Sequence, residues 1–358
     1  MPALPVLLIA FLAAIVVTPM VRATSTRLGI VDRPDGGRKT HSRPIPLLGG
    51  LALFFAIAFT ILWALYAGWL PGPHIKEKYL FGLLLATTLL VIGGALDDRF
   101  NLRPSRQIIW PILATLAVVA SGIGVVYITN PLGGQLFLDR ISVVVLWWKG
   151  IPYRFTLLAD IFTFLWLLGM TYTTKLLDGL DGLVSGITVI GAIIIAVVSI
   201  TRDVAQPDTA TLALIVAGAF LGFLLFNFHP ATIFLGEGGS TLAGFLLGTL
   251  AIISGGKIAT TLLVIALPLF DAAIVILRRM FVERRSPTSA DRTHLHFRLL
   301  DLGFTPRQVV LFYWFVAALF GVATFVLQGW EKLIVLALVG SVIIATTAVT
   351  MIIFKKRP

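Results

Sequence analysis

From Lys175 to Leu183 the chain reads KLLDGLDGL, which sets two carboxylates, Asp178 and Asp181, three positions apart between two long apolar segments. If this turn is helical, the two acids share one face. A charge at the bilayer centre costs about 2.5 to 3.5 kcal/mol on insertion scales, so two acids beside an apolar span belong in a water-filled cavity or at the membrane surface. Taken alone, D-G-x-D-G is equally a calcium-like loop or an acidic turn punctuated by Gly179 and Gly182. The rest of the chain decides between these readings.

Hydrophobic residues make up 58% of the chain and charged residues 13%, with a mean hydropathy of +0.98. Soluble domains are about 25% charged, so the composition excludes an ordinary soluble domain. It implies an all-α polytopic integral membrane protein. The 33 glycines and 18 prolines suit tight helix crossings and loops, and little room is left for sheet. With no cysteine, disulfides and thiolate metal sites are excluded. The net charge of +11 reads as a Lys/Arg bias on one membrane face and not as a nucleic-acid surface.

Apolar windows close to the ~20 residues that a helical span needs fall near 4–22, 47–69, 79–96, 107–127, 157–174, 183–201, 210–227, 241–254, 258–277, 308–328 and 333–354. They predict eleven transmembrane helices, or ten if the short, Gly-rich 241–254 window is not one. The first window lacks a cleavage signal and is expected to be a retained span. The whole of 1–358 is expected to form one transmembrane domain, with loops near 23–46, 97–106, 175–182, 228–240 and 278–307 on a common side.

Parity tests this expectation without any motif. With eleven spans, the odd-to-even connections and the C-terminus carry 20 of the 28 lysines and arginines. By the positive-inside rule that side is cytoplasmic and the N-terminus is outside. The same side receives Asp97, Asp98, Asp178, Asp181, Glu237, Asp271, His294 and His296.

Each of these loops admits a ligand-binding and a plainer reading. In RLGIVDRPDGGRKTHSRPIPLLGG (27–50), Arg38, Lys39 and His41 beside a Pro/Gly entry suit a ligand phosphate; the plainer reading is an anchor on anionic lipid. Asp97 and Asp98 close the third span, where adjacent acids raise one another's pKa unless they hold a cation or exchange a proton; alternatively they pair with Arg99 and Arg103. In FNFHPATIFLGEGGS (226–240), Glu237 in a Gly-rich turn offers a hard oxygen suited to Mg²⁺, or the turn merely reverses the chain. In DRTHLHFRLLDLG (291–303), His294 and His296 share a face in a strand and diverge in a helix. With no third ligand they make a weak zinc signal, and phosphate binding with Arg292 is the better reading.

The ordered set RKTHSRPIPLLGG, DDRFNL, LLDGLDGL, NFHPATIFLGEGGS and DRTHLHFRLLDLG resembles the polyprenyl-phosphate N-acetylhexosamine-1-phosphate transferase family, on the WecA and TagO branch that is related to MraY. The resemblance runs from about residue 27 to 307. It implies a Mg²⁺-dependent enzyme, with Mn²⁺ as an alternative ion, that transfers a sugar-1-phosphate from a UDP-N-acetylhexosamine, with N-acetylglucosamine expected, to a polyprenyl phosphate and releases UMP. The setting it implies is the cytoplasmic face of a bacterial inner membrane, in envelope polysaccharide synthesis, with no nucleic-acid partner and a homodimer left open.

Position by position, the resemblance implies that Asp97, Asp98, Asp178 and Asp181 are catalytic and that Glu237, with Asp98, holds the metal. Phe234 would stack on the uracil. Asn227 would line the cavity, and Arg38, Lys39, His41, Lys175, Arg292, His294 and His296 would face phosphates. Three positions depart from the family pattern: Lys175 replaces an Asn, Phe297 replaces a His, and Glu237 lengthens an Asp by one carbon, about 1.5 Å. A non-catalytic relative, suggested by these departures, and a membrane transporter, suggested by acids near spans, are the alternative readings.

Overall fold

The computed structural model describes residues 3–34, 43–129, 134–148, 151–201, 204–255, 257–281, 283–284, 294–327 and 329–355. The helices in order are α1 (Ala3–Arg27), α2 (Gly49–Tyr66), α3 (Glu77–Phe100), α4 (Pro104–Gln107), α5 (Ile109–Ser121), α6 (Leu157–Leu177), α7 (Leu183–Ile200), α8 (Pro207–Asn227), α9 (Gly236–Ile253), α10 (Ile258–Val264), α11 (Ala266–Phe281), α12 (Leu295–Asp301), α13 (Pro306–Ala323) and α14 (Trp330–Lys355). Among the described residues, α1, α2, α3, α6, α7, α8, α9 and α13 are each long and apolar enough to cross a membrane. The protein is a multi-span, mostly helical membrane protein.

Every apolar window has a helical counterpart, with three differences in detail. The 107–127 window holds only 13-residue α5, with four-residue α4 just before it, so the described residues contain eight helices of spanning length, or nine with the bent pair below, against the eleven or ten expected. The short 241–254 window is an 18-residue helix that begins at Gly236, which places Glu237 in a first helical turn and not in a loop. The 258–277 window is broken: α10 and α11 meet at 80° and count as one span only if the bent pair is taken together. Pro268, near the start of α11, has no N–H to give the carbonyl four residues back, and its ring crowds that carbonyl.

The described residues also include three two-stranded antiparallel ribbons that the composition did not announce. β1 (Val31–Asp32) pairs with β2 (Ile45–Pro46), β3 (Tyr127–Thr129) with β4 (Gln135–Phe137), and β5 (Ser142–Trp148) with β6 (Ile151–Thr156). In the last ribbon Ser142 lies opposite Thr156, with an irregularity between Val144 and Leu146.

Helix α9 is the centre of the bundle. Its apolar window is 83% buried, against 22% for α1, and it packs on α2, α3, α6, α7, α8 and α10. Lipid tails are as apolar as leucine, so helices in a membrane associate through close backbone approach at small residues. Two glycines supply that approach here. A Cβ on Gly94 of α3 would lie 2.2 Å from Cα of Gly238, and one on Gly244 of α9 would lie 2.1 Å from the Met170 carbonyl oxygen of α6. Several buried hydroxyls bond the preceding turn of their own helix, as Thr60 does on Ala56 O and Thr188 on Val184 O. The outer faces carry exposed Leu12, Val16, Phe55 and Phe59, as lipid contact requires. The two glycine contacts bring the C-terminal ends of α3 and α6 to the N-terminal end of α9.

Candidate active site

At that shared end the acids of three helices meet. Asp98, in the last turn of α3, accepts the Glu237 N–H through Oδ1 at 2.9 Å, so a carboxylate sits on the first turn of α9, where donors are unpaired and the helix dipole favours negative charge. Asp98 Oδ2 is buried and has no hydrogen-bond partner among the described residues. The Glu237 side chain turns to α6, where Lys175 Nζ lies 2.5 Å from its Oε1. The same ammonium donates to Gln107 Oε1 at 3.0 Å. Gln107 in turn donates through Nε2 to Asp97 Oδ1 at 2.9 Å, and that oxygen also accepts the Leu102 N–H at 2.7 Å. Asp97 therefore holds the α3–α4 turn, while Asp98 keeps one oxygen unpaired.

Asp178 and Asp181 do not share a helical face, because the chain leaves the helix at Asp178, the C-cap of α6, with φ −73° and ψ 63°. Asp178 keeps an exposed edge. Partial loss of hydration around it, and then the nearby carboxylates of Glu237, Asp181 and Asp98, raise its pKa. Asp181 points the other way: its Oδ2 meets His229 Nδ1 at 2.9 Å and accepts the Ala231 N–H at 3.0 Å. It anchors the α8–α9 connection, as Asn227 does from within. Asn227 Oδ1 accepts from Ser185 Oγ at 2.7 Å and its Nδ2 donates to Ile233 O at 3.1 Å. With the residue only 3% exposed, both ends of this amide are committed to the protein. Phe234 is half-buried, and its backbone bridges Pro46 O and the Gly49 N–H, tying α2 to the site.

The histidine pair is also placed differently from expectation. His294 is the extended N-cap of α12 and His296 its second residue, so the rings do not diverge but stack, 5.5 Å apart and 12° from parallel. His294 Nδ1 lies 2.9 Å from Asp271 Oδ2, and Asp271 Oδ1 accepts the Leu295 N–H at 2.8 Å. Both imidazoles are buried, at 5% and 0% exposure. His296 Nε2 lies over Gly179, 2.5 Å from where a Cβ there would sit, which docks α12 on the D-G-L-D-G turn. Burial pushes the His296 pKa down to about 3; the charge of Asp271 opposes this and that of His294 adds to it. Arg38, Lys39, His41 and Arg292 lie outside the described residues.

Gln107, His229 and Asp271 belong to this constellation and carried no assigned role in the sequence reading. Asp271 had the clearest signal, an acid inside an apolar window.

The expected metal seat of Glu237 with Asp98 can be judged by its donors. Mg²⁺ takes about six oxygens near 2.0–2.1 Å. Glu237 is paired with an ammonium and Asp98 Oδ1 with a backbone N–H, and among the described residues no three His, Cys, Asp or Glu side chains converge as a metal site would need. The side chains as placed do not fit a divalent ion.

A family model described as glycosyl transferase family 4 matches residues 80–255, which takes in most of α3, all of α6 and α9, and Asp97, Asp98, Asp178, Asp181 and Glu237. A decaprenyl-phosphate N-acetylglucosaminephosphotransferase of Mycolicibacterium smegmatis is 30% identical over 95% of this chain and 86% of its own length. The chain belongs to glycosyl transferase family 4. Within that family it is also similar to a probable undecaprenyl-phosphate N-acetylglucosaminyl 1-phosphate transferase of Bacillus subtilis, 28% identical over 92% of this chain and 87% of the relative. An undecaprenyl-phosphate alpha-N-acetylglucosaminyl 1-phosphate transferase of Escherichia coli is 28% identical over 83% and 76%.

Proposed function

We propose that this family 4 glycosyl transferase moves N-acetylglucosamine-1-phosphate from UDP-N-acetylglucosamine to a polyprenyl phosphate and releases UMP, at the cytoplasmic face of a bacterial inner membrane. The observation that carries the reading is the position of the acid and ammonium cluster: it lies at helix ends, where a water-soluble donor and a membrane-held acceptor can meet. A transporter would place its acids near mid-depth. An apolar groove of about 810 Å³ between α1 and α2 is walled by Leu12, Val16, Met20, Phe55 and Phe59 and ends at Leu48, next to the Gly49–Gly50 contact with the start of α9. It suits the prenyl chain of the acceptor.

In this reading an oxygen of the lipid phosphate attacks the β-phosphorus of the donor. A new P–O bond forms as the bond from that phosphorus to the bridging oxygen breaks, and UMP leaves with that oxygen. A phosphate monoester has a second pKa near ~6, so the acceptor arrives mostly as a dianion. The unpaired Asp98 Oδ2 orients it and takes the proton of the monoanionic fraction. Two anions repel, and fixed positive charge must offset that repulsion in the transition state; Lys175 supplies it here. Asp178 and Asp181 frame the mouth for the nucleotide, Asp181 by holding the α8–α9 connection in place.

Incubating the purified protein with UDP-N-acetylglucosamine and undecaprenyl phosphate should release UMP and form the lipid-linked sugar diphosphate. No UMP from folded protein would overturn the reading. The Lys175–Glu237 contact favours one alternative, a relative that binds both substrates without reaction, and it predicts binding with no UMP.

A further inference from the structure

An ammonium has three N–H donors, and Lys175 spends one on Glu237 and one on Gln107. Its side chain is 22% exposed, and that of Glu237 18%, so the pair is neither a solvated surface bridge nor sealed from ligands. A plain surface ion pair would contribute almost nothing and would have no reason to sit at the junction of three helix ends. The junction is the point where Asp98 reaches the Glu237 N–H and where Gln107 links the ammonium to Asp97. A half-buried lysine lodged among acids does electrostatically what a bound cation does, with its charge fixed to the chain.

We propose that the Lys175 ammonium is the resident cation of this site: it fills the place beside Glu237 that a divalent ion would take and turns its third N–H to a phosphate oxygen of the donor. The ligand class is a nucleoside diphosphate sugar, which rests on the functional reading above, and its binding needs no divalent metal. Glu237 is then the partner that keeps the ammonium charged and aimed. The carboxylate that would otherwise be a ligand has become a positioning group for a lysine.

The test uses the purified full chain in lipid nanodiscs, with Mn²⁺ alone as the first probe, followed by electron paramagnetic resonance. The wild-type protein should show no saturable Mn²⁺ site below the millimolar range. Lys175→Asn, which replaces the ammonium by an oxygen donor, should bind Mn²⁺ roughly tenfold or more tightly. Uptake of one Mn²⁺ by the wild type at micromolar concentration would overturn the proposal, and so would a folded Lys175→Asn protein that still binds none. In a second arm, calorimetry follows UDP-N-acetylglucosamine binding to the wild type in EDTA and in Mg²⁺. Equal affinities support the proposal, and loss of binding in EDTA overturns it. The Mn²⁺ arm contains no nucleotide, so it decides the cation question even if the protein proves to use another donor. A wild type that binds UDP-N-acetylglucosamine in neither buffer overturns the functional reading instead.

Discussion

Gly94 of α3 and Gly238 of α9 touch backbone to backbone: a methyl group on Gly94 would lie 2.2 Å from the Cα and 2.2 Å from the N of Gly238. Glu237 precedes that glycine, and its N–H is the donor held by Asp98 one turn beyond Gly94. Helix packing and site geometry are thus one contact. Gly94→Val should force α3 away from α9 and break the Asp98–Glu237 bond. Overpacking of this kind costs about 1–3 kcal/mol, so the melting temperature in detergent should fall and UMP release should be lost. Gly169→Ala is the control, since nothing lies within 4 Å of its Cβ position; it should leave stability unchanged or raise it by up to ~1 kcal/mol.

The neighbouring acids of α3 should separate by phenotype. Asp98→Asn keeps an oxygen for the Glu237 N–H but loses the charge at the unpaired position, so folding should be retained while turnover falls by roughly 10²–10⁴-fold, the usual worth of a placed proton acceptor. Asp97→Ala removes the acceptor of both Leu102 N–H and Gln107 Nε2 and should lower the melting temperature as well. Thermal unfolding beside UMP release distinguishes the two. Equal destabilisation by both changes would remove the catalytic assignment of Asp98.

How much of this was legible in the sequence follows from what each signal depends on. Spans were legible because bilayer thickness dictates their length, and the acids because charge beside a span is costly and so conspicuous. The β5–β6 ribbon was not: SVVVLWW is apolar at successive positions, with Val143, Val145 and Trp147 all exposed, and shows no period-2 contrast between faces. The 80° break at Ile265 had its cue in Pro268, but an uninterrupted hydropathy window averages a proline away. Gln107 is a neutral amide of a kind found in any loop, and only tertiary contact gives it a role. The histidine pair was misplaced because an N-cap residue is extended while the next residues are helical, so neither pure periodicity applies. Lys175 and Glu237 each stood out alone; that they answer each other across 62 positions of sequence needed the fold.

Acid should unfold the protein partly through His296. The unfolded imidazole titrates near ~6.5 and the folded one near about 3, so below neutrality the unfolded chain binds a proton that the native site refuses. Stability is therefore at its full value above pH ~6.5, declines as the pH falls through the range between the two pKa values, and stops declining below the folded one, a loss of order a few kcal/mol. Both ring nitrogens lack a partner among the described residues, so His296→Phe keeps the ring on Phe297 and Gly179 without the proton site. Denaturant midpoints between pH 8 and 4.5 should slope less in that variant. Parallel slopes would mean that the acid sensitivity lies elsewhere.

The groove between α1 and α2 makes a claim about the acceptor alone. Ala13 lies on its wall, several helical turns of α1 away from the acids, and Ala13→Trp would fill the groove without touching the cluster. If the prenyl chain lies there, the KM for undecaprenyl phosphate should rise on the order of tenfold while kcat at saturation and the KM for UDP-N-acetylglucosamine stay the same, the signature of lost uniform binding. Apolar contact scales with chain length at about 0.8 kcal/mol per buried CH₂, so a prenyl phosphate too short to reach Ala13 should be used equally well by both proteins. A defect of equal size with the short acceptor would show that the tryptophan disturbs the catalytic end of the bundle, and the prenyl chain would have to be sought on another face.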